Sequence, residues 1–365
     1  MRYRSIVETG YQFANDGQKY NIAFFPLFPL ILKGLVALGL PFELAAFVLN
    51  HGCFWLVLLL LFQWMKTAQH INVARWSVVI MAWFPTSFYC SVAYTEPLFL
   101  LTTLAALVNF DRERYGWAAL WGALASATRL PGIVLIPTFI VATFLQKRSW
   151  QGYGAAIASG LGVVAYIVYC QITFHEPLAF ILVQKAWEEP PQFLFDNWVN
   201  LLIRLVVGSP NSALGEKVDP MHSLAFTTMV ILAILLWWKQ NYVLKYVPKQ
   251  LITMAGIMLY VGLWLLGNDR LITLTMMAGS MVLLIKTRTQ LTGVAWLYGV
   301  FSILLLIMTG RTTSIIRLIY GIVTLAPALA LSVQKRPRLR YAITAFSILF
   351  FITLGLRFGQ GYWVA

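Results

Sequence analysis

The sequence predicts an all-α protein, a polytopic transmembrane helical bundle, and three observations lead there. Hydrophobic residues fill 60% of the 365 positions and charged residues only 11%, whereas soluble domains carry roughly 25% charged side chains. Apolar runs long enough, or nearly so, to cross a hydrocarbon core of about 30 Å recur almost without pause. The basic residues behind the net charge of +14 are scattered between those runs instead of forming one basic face, so no nucleic-acid partner is indicated. Soluble enzyme classes are excluded on the same grounds.

In chain order, residues 1–42 read as an outer-face segment. Met1 to Lys19 is polar and lacks the apolar core of a signal peptide. Ile22 to Leu40 is apolar, but Pro26 and Pro29 fall in its first turns and Lys33 in its middle, which suits an interfacial or re-entrant helix. About twelve spans follow. A first bundle over 43–174 holds Glu43 to Met65, Trp76 to Val92, Pro97 to Phe110, Trp117 to Ala127, Gly132 to Leu145 and Gly152 to Thr173. One longer outer loop covers 175–221. A second bundle over 222–365 holds His222 to Trp238, Gln250 to Leu266, Leu271 to Ile285, Leu291 to Thr309, Ser314 to Ser332 and Tyr341 to Leu356. Runs of 11 to 15 residues reach only about 16–22 Å at 1.5 Å per residue, so they suit tilted pairs, half-spans or a thinned site.

Charge orients this bundle. The connections Lys66–Arg75, Asp111–Tyr115, Gln146–Gln151, Lys239–Lys249, Lys286–Gln290 and Gln334–Arg340 hold fifteen of the 27 basic residues and only Asp111 and Glu113 among the acids. The positive-inside rule makes that side cytoplasmic; the expected location is as a multi-pass protein of the plasma (inner) membrane. Most acids then crowd the opposite face. Either that face has longer loops, or it is the working face, where Arg129, Arg270, Arg311 and Arg317 stand at span ends. A snorkelling arginine at a lipid phosphate explains each of them equally well.

Cys53, Cys90 and Cys170 show no CxxC or Cys/His spacing, and the four histidines are dispersed, so neither a disulfide framework nor a protein-built metal cluster is indicated. In SVAYTEPLFLL, Thr95 or Glu96 can cap the helix that Pro97 opens. The same carboxylate, partly buried near the bilayer, can act as a base or hold a sugar hydroxyl. A transporter or lipid flippase would leave mid-span charges and paired repeats, which are not seen in the sequence.

The local strings resemble the PIG-V-like polytopic glycosyltransferases of GT-C type, especially their bacterial relatives. The matching pieces are YRSIVETGY from Tyr3, AFFPLFPL from Ala23, AYTEPLFLL from Ala93, ASATRLPG from Ala125, EPLAF with a following Gln and Trp187, TSIIR from Thr313, and the terminal GYWVA. The resemblance implies an inverting transfer of a hexose, with mannose the family's sugar, from a polyprenyl-phosphate donor to a glycan, lipid or protein acceptor on the extracytoplasmic side. It implies Arg129 and Arg317 as donor-phosphate ligands, with Arg270 as a third that position alone supports. Tyr94, Thr95, Lys185 and Trp187 become substrate-binding candidates. In relatives a Trp-Asp pair carrying the base precedes the YRSIVETGY-like string, after an initial span. Aligning Tyr3 puts that pair upstream of Met1, which implies a start lying further upstream. The alternatives are an inactive paralogue acting as a scaffold, or a substitute base at Glu96, Asp16 or Glu8. No cofactor is implied with certainty; a divalent metal held by Asp269 or Glu96 through donor phosphate stays open.

Overall fold

The computed structural model describes residues 2–187, 195–208, 219–310, 312 and 314–362, with the side chains of 185 and 187 excepted. Among the described residues every regular element is a helix and no strand occurs. Five helices are long and apolar enough to cross a membrane: Phe42–Ala68, Gln151–Phe174, Pro220–Trp238, Lys249–Thr287 and Pro337–Gly359. A sixth candidate is the pair Pro85–Ser91 and Glu96–Asp111, bent by 101° at the intervening turn. Much of their surface is apolar yet exposed, as at Trp55, Ile172, Trp237, Leu265 and Leu356. Side chains of this kind in such number belong in lipid, so the chain is an integral membrane protein.

Among the described residues, helices long and apolar enough to span are fewer than the apolar runs. Leu27–Ala37, Ile71–Trp83, Leu130–Leu145 and Gly293–Met308 are real helices, but each stops after 10–17 residues. The runs Gln250 to Leu266 and Leu271 to Ile285 fall within the 39 residues Lys249–Thr287, as two helical stretches that meet at a kink at Asn268 (φ 50°, ψ −141°).

By internal contacts the chain divides into two compact units, Met1–Pro190 with Ser280–Leu306 and Arg317–Ala365, and Pro191–Gly279 with Ile307–Ile316. In the first unit the helices are α1 (Arg2–Thr9), α2 (Leu27–Ala37), α3 (Phe42–Ala68), α4 (Ile71–Trp83), α5 (Glu96–Asp111) and α6 (Tyr115–Thr128). They continue as α7 (Leu135–Leu145), α8 (Gln151–Ala158) and α9 (Leu161–Phe174). α5 is buried along almost its whole length, as a helix apolar on every side must be, and it packs against α3 and α6. α6 meets α8 and α9 through glycines: a Cβ on Gly122 would strike Ser159, and one on Gly162 would strike the backbone of Ala123 and Ala127. Small residues of this kind let helix backbones approach where lipid gives no hydrophobic drive.

The segment before α2 is pinned to α9. Tyr166 donates to the Ile22 carbonyl at 2.7 Å and Tyr11 to that of Phe24 at 2.8 Å, while Phe25 packs its ring 5.2 Å from Tyr166 and 5.4 Å from Phe180. Tyr11 and Phe25 thus serve the fold. The second unit has its own small core of Leu205, Phe226 and Leu263. His222 bonds the Leu205 carbonyl through Nε2 at 3.1 Å, and Trp198 donates to that of Ile307 at 3.0 Å.

Candidate active site

The first unit gathers three charged side chains from distant parts of the chain at the N-terminal end of α5. Glu96 is fully buried, and its Oε1 accepts from Arg129 Nη1 at 2.7 Å and from Arg317 Nε at 2.5 Å. The two arginines keep 17% and 19% of their side-chain surface exposed, so neither is sealed off as completely as the carboxylate between them. Glu96 Oε2 is buried and, among the described residues, has no hydrogen-bond partner.

Local sequence explains each position. After the 3-10 helix Pro85–Ser91 the chain turns sharply, and α5 starts at Glu96 with Pro97 in its first turn, where proline loses no needed N–H. Thr95 occupies the capping position, yet its side chain makes no cap bond. The hydroxyl instead meets the Tyr3 phenol, which lies in α1. Asn50 on α3 donates to the Val92 carbonyl and fixes the approach to the turn. Burial first, and then the neighbouring Glu96 carboxylate, push the Tyr3 phenol up to about 12.

Arg129 ends α6 in extended conformation (φ −155°, ψ 147°) and leads into the 3-10 helix Leu130–Val134. Gly132 makes that reversal possible. A Cβ there would sit 2.5 Å from the Ser126 nitrogen and 2.6 Å from the Ala125 carbonyl oxygen, so only glycine lets the strap lie against α6. Arg317 belongs to the short helix Ile315–Tyr320, which Tyr320 fastens by donating to the Met81 carbonyl at 3.1 Å and stacking on Phe84. Aromatic rings cover the cations: Arg317 lies 4.4 Å from the Tyr94 ring centroid and 4.7 Å from that of Tyr89, and Arg129 lies 5.6 Å from that of Phe99. A desolvated guanidinium gains most from such faces. Arg129 also borders a tight crevice of about 30 Å³ between Phe99, Pro131, Tyr298 and Ile322.

Of the residues singled out from sequence, Tyr94, Thr95, Glu96, Arg129 and Arg317 come together. Glu8 lies elsewhere, on the exposed side of α1, bonded to Arg4 Nε at 2.8 Å, and Arg4 also holds Glu43 at 2.8 Å. Asp16 sits in an exposed turn, where the Gln18 N–H and the Tyr20 hydroxyl hold its carboxyl below the usual range. Arg270 belongs to the second unit, two residues past the break at Asn268 and half-buried. The side chains of Lys185 and Trp187, together with Arg311 and Thr313, lie outside the described residues. Among the described residues no three His, Cys, Asp or Glu side chains gather where a metal would sit.

Sequence reasoning gave no role to Tyr89, Tyr320 or Asn50. Tyr3 opened one of the matching strings, but nothing in the pattern tied it to Thr95.

The same stretch of chain carries the likeness to known proteins. Residues 2–150 match the family model Mannosyltransferase (PIG-V). This is the family that the strings resemble, and the match takes in α1, the YTEP turn and TRLPG, while Arg317 falls beyond it. The human GPI alpha-1,6-mannosyltransferase 2 is 26% identical over 163 residues, 42% of this chain and 31% of the human protein. The chain thus spans about a third of the length of that relative.

Proposed function

We propose that the protein is a membrane mannosyltransferase taking its sugar from a polyprenyl-phosphate donor and transferring it, with inversion, to an acceptor on the extracytoplasmic side of the plasma membrane. The observation carrying the reading is the arginine pair on Glu96, lodged at the turn that the family match includes. In the transfer an acceptor hydroxyl oxygen attacks the anomeric carbon, the bond from that carbon to the phosphate oxygen breaks, its electron pair leaves with the polyprenyl phosphate, and the hydroxyl proton passes to the departing phosphate or to water. Negative charge grows on the departing phosphate. Arg129 and Arg317, both partly exposed, are the cations to receive it, and preorganised cations stabilise such a charge most where water is excluded.

Glu96 serves this reading as a positioning residue. Its Oε1 holds both forks at once, and a carboxylate neutralised by two cations and sealed from solvent is poorly placed to take the acceptor's proton. Two cations on one anion leave the cluster with a net positive charge, which suits a phosphate ligand. A divalent ion competes poorly for a carboxylate so occupied.

The test is sugar transfer in membranes expressing the chain, supplied with radiolabelled polyprenyl-phosphate mannose in one arm and GDP-mannose in the other. Label should move from the lipid-linked donor to a new acceptor, and Arg317→Ala should lower the rate about 10²-fold or more. Transfer from GDP-mannose after endogenous polyprenyl phosphate has been removed would overturn the donor assignment. Absence of transfer in both arms from folded protein would overturn the reaction.

A further inference from the structure

A second pocket opens beside the cluster, on a different face of α1 from the one Tyr3 uses. Its volume is about 290 Å³, and its walls are Arg2, Ser5, Gln12, Lys19, Tyr20 and Asn21. That volume sits at the small end of ligand pockets and suits one sugar- or polyol-sized group. All six walls carry polar atoms, two are cations, and none of the described lining residues is a carboxylate.

The pocket is preformed. Arg2 and Ser5 are three residues apart on α1 and so share a face. The other four walls belong to the segment that returns from α1 toward α2, and hydrogen bonds fix its course. Asn21 Oδ1 accepts from the Gln12 N–H at 2.7 Å, and Asn21 Nδ2 donates to the Gly10 carbonyl at 3.0 Å. The Tyr20 hydroxyl donates to Asp16 at 2.8 Å. This closed loop holds Lys19 and Tyr20 over the α1 face.

The pocket also adjoins the cluster. Arg2 interacts electrostatically with Tyr94, whose ring covers Arg317, and Tyr3, the next residue in the chain, meets Thr95. One short helix thus lines the polar pocket with Arg2 and Ser5 and meets Thr95, the residue before Glu96, through Tyr3.

We propose that this pocket seats a phosphate ester of a small polyol or sugar, with Arg2 and Lys19 on the phosphate and Ser5, Gln12 and Tyr20 on the hydroxyls. Two cations and several neutral donors and acceptors around such a volume match that chemistry, since Arg and Lys bind phosphate and the amide and hydroxyl groups read a polyol. That the occupant is the acceptor's headgroup rests on the mannosyltransferase reading; the binding itself does not.

The experiment is equilibrium dialysis of the full chain in detergent against radiolabelled glycerol phosphate, with glycerol as uncharged competitor. Saturable binding that glycerol does not displace is expected. Arg2→Gln and Lys19→Gln should each weaken it by at least about tenfold, the worth of one charge-assisted hydrogen bond. Ser5→Trp should abolish it by filling the pocket while both cations stay, which keeps the test decisive if a charge variant fails to fold. Arg4→Ala removes an equal charge from the neighbouring position on α1 and should change nothing. Phosphatidylglycerol nanodiscs that suppress the binding, where phosphatidylcholine nanodiscs do not, would show a lipid headgroup as occupant. Equal binding in both would show a soluble phosphate ester. No saturable binding, or an Arg4→Ala loss equal to that of Arg2→Gln, would overturn the proposal. Because no transfer is read, its failure leaves the mannosyltransferase reading standing, and the reverse holds as well.

Discussion

Glu96 with Arg129 and Arg317, and Arg4 with Glu8 and Glu43, are three-membered ion clusters of nearly equal dimensions, with bonds of 2.7 and 2.5 Å in one and 2.8 and 2.8 Å in the other. Their surroundings differ. The Glu96 side chain has no exposed surface, whereas Arg4, Glu8 and Glu43 are 49%, 55% and 64% exposed. In water the attraction of such a pair is screened and offset by the entropy of holding two long side chains. In a dry interior each charge depends on its partners, and removing one leaves the others stranded. Bond length alone would rank the two clusters together; burial separates a solvated surface pair from a cluster whose members depend on one another.

The largest way to break this comparison is Glu96→Ala, which strands two guanidiniums. Unfolding in detergent should lose about 3–5 kcal/mol, the cost of breaking a buried ion pair. The triple variant with Met at 96, 129 and 317 should recover most of that stability, because buried ionic groups replaced together by apolar ones are often neutral, yet transfer no sugar. Recovery of transfer in the triple variant would sink the functional role of the cluster.

Smaller, and aimed at chemistry, is Glu96→Gln. The amide oxygen still accepts from both arginines, so the rate should fall about tenfold with the shape of its pH profile unchanged. Loss of a general base would cost about 10²–10⁴-fold and remove the acid limb. Arg317→Lys should cost about 10²-fold despite the retained charge, since an ammonium cannot both hold Glu96 and lie flat on Tyr89 and Tyr94.

Next comes Gly132→Ala, which should destabilise by about 1–3 kcal/mol and raise the KM for donor as Arg129 shifts. Tyr3→Phe should cost about 0.5–1.5 kcal/mol and change the alkaline limb of stability. The Tyr3 phenol is raised from 10.0 to about 12, so its contribution is present below pH 10 and fades as pH rises through 12. Tyr3→Phe should flatten that loss in pH-dependent thermal melts. Smallest of all, Arg4→Ala should leave Tm unchanged in detergent at physiological salt.

The helical membrane class was legible because a composition so poor in charge admits few other solvents. Glu96, Arg129 and Arg317 were legible for a related reason: each is an ionisable residue set among apolar neighbours, where it stands out. Their mutual contact was not, since Glu96 and Arg317 are 221 residues apart and no local period links them. Tyr89, Tyr320 and Asn50 were invisible, because aromatics and amides at span ends read first as interface residues. Glu8 and Asp16 looked like candidate bases, and only the coordinates reveal their partners, Arg4 for one and the Tyr20 hydroxyl with the Gln18 N–H for the other. The two runs on either side of Asn268 were legible as separate stretches, and the kink at Asn268 divides them.

The spacing of the three charges also orders events during synthesis. Glu96 and Arg129 lie 33 residues apart on consecutive helices, so they leave the ribosome together and enter the bilayer as a mutually neutralising hairpin, the form of two charges that lipid resists least. Arg317 follows Glu96 by 221 residues, roughly 10–45 s later at 5–20 residues per second. The nascent protein therefore passes through an interval in which its future site is electrically silent, and the surplus positive charge arrives only when the last third of the chain is made.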